Sequence, residues 1–142
     1  MALTVLDAGV LIAVLDAADA HHAAARAALT AVLDRGDALA VPASAYAETL
    51  VAPAGLGAGA VRAVDAFLAD LPADVEPITR QLAKRAAELR ARHGQRLRLP
   101  DAFVLATAVH LGADQVLTTD AGWPRAGIRV ELIGVGSANQ GP

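Results

Sequence analysis

The chain has 142 residues, 55% of them apolar and 19% charged, with a net charge of −3. That is the length of one domain with ample material for a core, and it excludes intrinsic disorder and collagen-like repeats. The absence of cysteine removes disulfide scaffolds, thiol catalysis and Cys-ligated zinc, while 3% aromatic residues leave no base-stacking sheet and the acidic balance argues against coating nucleic acid by bulk attraction.

In chain order, the apolar run at residues 3–6 predicts a buried strand ending at Asp7, and 9–15 predicts a helix. Asp19 is the expected cap of an Ala-rich helix over 21–33 that stops at Arg35-Gly36. Residues 39–42 predict a second strand, and Ser44 the N-cap of a helix through Tyr46, Glu48, Leu50 and Val51. The stretch 53–59 (PAGLGAG) predicts a helix stop and loop, followed by a helix over about 60–71 that ends at Pro72. Residues 75–78 predict a third strand, and Thr79 caps a helix over 80–92. A loop is expected at 93–95. Pro100 then opens a helix over 101–111 with Gly112 as its stop. Strands at 115–119 and 130–133 complete the set.

Short apolar strands alternating with helices predict an α/β fold with a mostly parallel sheet. The expected organisation is a single domain over 1–135 with a frayed C-terminal tail at 136–142. No segment reaches the roughly 18 uninterrupted apolar residues of a membrane span, and the opening apolar run lacks a basic flank. A cytoplasmic protein without membrane attachment is the expectation.

In open α/β sheets, function gathers outside the carboxyl ends of the strands. Asp7, after LTVL, and Asp120, after QVLTT, stand there, although an Asp in that place also caps the helix that follows. Glu48 is one of four glutamates and the one charge in ASAYAETLVA. Asp101 follows Pro100 and begins an almost wholly apolar helix, where the dipole alone stabilises a carboxylate by about 0.3–1 kcal/mol. If these four acids converge, their repulsion raises some of their pKa values, a conflict that a hard divalent cation relieves. Carboxylates without His or Cys point to magnesium or manganese before zinc. His21, His22 and His110 read as surface or core histidines.

Asp7 in VLDAGVLIA, Glu48 in ASAYAETL, Asp101 in RLPDAFVLATA and Asp120 in VLTTDAGW resemble, in order and context, the PIN-domain ribonucleases. The resemblance runs from the first strand to about Val130. Its most specific part is the acid followed by AFVLATA, a glycine-terminated helix and a strand ending in TTD. Within that family the chain looks most like VapC-type toxins of bacterial toxin–antitoxin pairs. The resemblance implies a PIN-like α/β/α sandwich whose short, mostly parallel sheet is flanked by helices. It also implies a Mg2+- or Mn2+-dependent endoribonuclease with an RNA substrate, 5′-phosphate and 3′-hydroxyl products, a VapB-like antitoxin as inhibitor, and a homodimer with the 60–71 helix as one candidate face. On this resemblance Asp7, Glu48, Asp101 and Asp120 are the metal-binding acids, and Thr118 orients carboxylates or water. Two positions depart from the family pattern. Ala8-Gly9 stands where many members carry a polar pair, and Trp123 where many carry Phe.

With the four acids set aside, the remaining charge is slightly positive. Arg90, Arg92, Arg96 and Arg98, around His93, are expected to contact RNA phosphates; a solvated helix end, where Arg suits the dipole, accounts for them equally. Two other functions fit acids at strand ends. A phosphoryl receiver or aspartyl phosphatase needs a further acid near Asp7 or a lysine after a late strand, yet Gly9 stands two positions on and Lys84 is mid-helix. A catalytically inactive binding module of the same fold would have no reason to keep all four acids.

Overall fold

Among the described residues, five short runs rich in Val, Leu and Ala pair into one sheet: β1 (Leu3–Leu6), β2 (Ala38–Pro42), β3 (Ala73–Glu76), β4 (Gln115–Thr118) and β5 (Val130–Leu132). Every pair is parallel and the order is β3-β2-β1-β4-β5. Parallel neighbours need long crossovers, and helices supply them: α1 (Ala8–Leu15), α2 (His22–Asp34), α3 (Ala43–Leu56), α4 (Ala58–Asp70), α5 (Arg80–His93) and α6 (Leu99–Leu111), with a 3-10 turn at Gly94–Arg96. The computed structural model describes residues 1–134, so the tail expected at 136–142 lies outside the described residues. No helix among those residues is long and apolar enough to cross a membrane.

The middle of the sheet is the most buried. Val5, Leu6, Val116 and Leu117 of the central pair are buried, with helices covering both faces. Edge strands β3 and β5 keep exposed positions. The chain builds outward from β1 through β2 to β3, then returns to the other side of β1 for β4 and β5. That reversal opens a crevice between β1 and β4, where ligands of open α/β sheets bind. Register fixes what faces the crevice: Leu6 pairs with Leu117, and the Asp7 N–H donates to the Leu117 carbonyl at 3.0 Å. Asp7 therefore leaves β1 beside Thr118.

Most expected elements form within a residue or two of their predicted ends. Thr79 caps α5, its hydroxyl accepting the Leu82 N–H at 3.2 Å, and Gly112 stops α6 in the left-handed conformation at φ +64°. Three expectations are corrected. The helix stop expected at 53–59 shrinks to Gly57, because Pro53 lies inside α3. A proline forfeits its own ladder bond, but the helix ends only where Gly57, at φ +123°, takes a conformation that side chains disfavour. Ser44 is no cap, since α3 starts directly after Pro42 and leaves the Ser44 hydroxyl buried without a partner. Asp19 folds the turn ahead of α2 by accepting the His21 N–H at 2.8 Å, and His21 occupies the cap position.

Candidate active site

The site begins with a residue that ends a strand and caps a helix. Asp7 is almost fully buried, and both carboxylate oxygens are engaged: Oδ1 accepts the Ala8 N–H at 2.8 Å, and Oδ2 accepts the Thr118 hydroxyl at 2.7 Å. Thr118, the last residue of β4, is fully buried, and its Oγ1 also accepts the Asp120 N–H at 3.0 Å. One hydroxyl thus ties the two strand-end acids together, donating to the first and accepting from the backbone of the second. Asp120 is exposed and turns the chain by accepting the Gly122 N–H on Oδ1 at 2.8 Å.

The other two acids come from helices. Glu48 sits midway along α3, and Asp101 in the first turn of α6 just after Arg98, the residue at that helix's cap. The four acids act on one another electrostatically. Asp7 is held above the usual carboxylate range by burial and, to a lesser degree, by Glu48 and Asp120, against the opposing hydrogen bonds of Thr118 and Ala8. Burial, Asp7 and Asp120 push the Asp101 carboxyl up to about 6, opposed by Arg98 and Trp123. Glu48, exposed on α3, is raised by partial desolvation and by Asp101, again opposed by Arg98. The Trp123 indole N–H is buried beside Asp101 without completing a well-formed hydrogen bond. The packing of α3 and α6 against the sheet therefore concentrates like charges, and the fold bears the cost.

Among the described residues, no three acids or histidines close into a ready-made coordination shell. An all-oxygen donor set of this looseness fits a hard dication that retains water ligands, and it does not fit a tetrahedral zinc site.

Of the four arginines expected near RNA, only Arg98 acts on the acids; Arg90 and Arg92 lie in the last turn of α5 and Arg96 in the 3-10 turn. His22 is structural, bonding the Ala13 carbonyl at 2.7 Å, and His21 stands 3.5 Å from Asp19. Sequence reasoning missed Thr119. Its hydroxyl fills the space above Gly9, where a β-carbon would collide with it. A hydroxyl thus stands over Gly9, brought there by the residue that follows β4. The TTD run was the available signal, since it offers two hydroxyls rather than one.

A carboxyl whose pKa rises on folding contributes stability below the unfolded value of 3.8 and loses it as pH climbs through about 6. In EDTA, Asp101→Asn should melt above the parent protein at pH 8, and thermal melts should show the gap closing as pH falls to about 4.

Residues 4–128 match the family model described as PIN domain. No curated protein matches the chain in sequence. Among solved structures, the chain is similar to VapC20 from Mycobacterium tuberculosis, a sarcin–ricin loop cleaving toxin, at 22% identity and a TM-score of 0.64 over 80% of this chain and 86% of that one. It is similar to a toxin–antitoxin complex from Klebsiella pneumoniae at 23% identity and a TM-score of 0.65, covering 88% and 97% of the two chains. VapBC-5, a member of the VapBC toxin–antitoxin family from Mycobacterium tuberculosis, gives 25% identity and a TM-score of 0.60 over 95% of this chain and 100% of that one.

Proposed function

The chain belongs to the PIN domain family, and from that premise we propose that it is a Mg2+- or Mn2+-dependent endoribonuclease toxin held in check by a VapB-like antitoxin. What supports this reading is that Asp7, Glu48, Asp101 and Asp120 act on one another electrostatically, with Asp7 at the β1–β4 crevice. These four acids would hold the metal. When bound, it supplies positive charge to a phosphodiester and lowers the pKa of a coordinated water, which is the chemistry of metal-assisted RNA hydrolysis.

The rest of the work belongs to the chain's own groups. Thr118 fixes the direction of the Asp7 carboxylate and the start of the Asp120 turn before anything binds. Arg98 offsets part of the charge on Glu48 and Asp101 and, with Arg90, Arg92 and Arg96, offers contacts for RNA phosphates. Support for a protein inhibitor is a mostly apolar groove of about 450 Å³ between α1, α3 and α4. It is lined by Ile12, Leu15, Leu56 and Val64 and touches Glu48, so an apolar helix seated there would reach the site. A homodimer belongs to the same proposal. Its face is better placed on α3 than on the 60–71 helix, because Val64 and Leu68 of α4 turn inward while Val51 and Leu56 of α3 are 72% and 84% exposed. The unit is a single domain over 1–135, and the cytoplasm is the compartment that holds its RNA.

The test is incubation of antitoxin-free protein with cellular RNA in Mg2+, in Mn2+ and in EDTA. Discrete cleavage in either metal that EDTA abolishes is expected. Binding of antitoxin with no cleavage in any condition would instead establish the inactive-module reading, and labelling of Asp7 by acetyl phosphate the phosphoryl-transfer one.

A further inference from the structure

A second concavity adjoins the acids, and it differs from them in chemistry. It measures about 530 Å³, within the range of small-ligand sites, and lies along the connection from β4 to β5. Asp120 lines it at the catalytic end; Trp123, Ile128 and Leu132 give it apolar walls, and Arg125 and Arg129 give it charge. The two arginines are not equivalent. Arg129 donates to Glu131 at 3.2 Å, whereas Arg125 is exposed and forms no ion pair among the described residues.

A site that gathers four carboxylates repels a polyanionic substrate wherever cations do not intervene. Arg98 intervenes on the side of Glu48 and Asp101. On the Asp120 side the available cation is Arg125. An apolar cleft with an aromatic wall and one uncommitted guanidinium matches one nucleotide of a single strand, its base against the apolar surface and its phosphate on the arginine. The geometry points to this cleft as the subsite for a nucleotide flanking the scissile bond, with Arg125 as its phosphate contact. This assignment rests on the nuclease reading above and adds a binding position that the four acids do not require.

Binding of a fluorescein-labelled pool of random-sequence single-stranded RNA, followed by anisotropy in Ca2+ across a salt series, tests it alongside cleavage in Mg2+. Arg125→Ala should weaken binding about five- to tenfold and lower the slope of log affinity against log salt by about 0.7, the loss of one phosphate contact on a single strand. Arg125→Lys should restore the slope, and Arg129→Ala should leave most of it. Melting temperature should not move in any of the three, which separates contact from folding. If wild type binds and cleaves RNA while Arg125→Ala keeps its affinity and salt slope, the subsite is wrong and the nuclease reading stands. If wild type neither binds nor cleaves RNA, the nuclease reading fails and the subsite fails with it.

Discussion

Asp7→Asn is expected to lower RNA cleavage by at least about 100-fold at saturating Mg2+ without unfolding the protein. The reason is that asparagine keeps the shape and loses the charge. Its amide oxygen can still accept the Ala8 N–H that starts α1, and its NH2 can donate to the Thr118 oxygen, so the cap survives. The carboxylate it replaces is nearly fully buried and sits among like charges, so its removal relieves a strain on the apo fold rather than creating one. Single-turnover cleavage rates and thermal melts, taken on the same preparation, separate the two effects. A variant that melts at or above wild type in EDTA yet barely cuts RNA is the predicted combination. One that cuts at the wild-type rate would remove Asp7 from the site.

The second large effect is on stability and pH together. Thr118→Val replaces a fully buried hydroxyl by a methyl of the same shape and strands two partners, the Asp7 Oδ2 and the Asp120 N–H. Leaving a buried polar group without its partner costs roughly 1–3 kcal/mol, which urea unfolding measures directly. The lost hydrogen bond was also one of the influences lowering the Asp7 pKa, so that pKa rises further. Cleavage needs the acids deprotonated, and the acidic limb of the pH–rate profile should therefore shift to higher pH. Thr118→Ser, which keeps the oxygen, should restore the profile even if it restores only part of the stability.

The fold was largely legible because its strands are short apolar runs bounded by acids, glycines and prolines, and α3, α5 and α6 end where glycine takes a positive φ. Gly112 and Thr79 show local chemistry and tertiary structure in agreement. Pro53 shows where local signals mislead: the missing N–H costs one bond, and the turns on either side outvote it. Ser44 misled in the opposite way, since a good capping residue stands one position inside a helix that the preceding proline already begins. Asp7 and Asp120 could be placed at strand ends from the sequence. Their link through the Thr118 hydroxyl required the β1–β4 register, which depends on residues over a hundred positions apart. Thr119 over Gly9 and the cleft around Arg125 depend on the same long-range packing and on a connection without regular structure.

Calorimetric titration of Mg2+ into the metal-free protein addresses the shared acid field most directly. Because the Asp101 carboxyl is pushed up to about 6, binding at pH 6 should displace protons. Titrations in buffers of different ionisation enthalpy should reveal that release, and it should fade by pH 8. Loss of the binding heat in Asp7→Asn and in Asp101→Asn alike is the predicted result. A Mg2+ affinity and proton release unchanged by either substitution would contradict it.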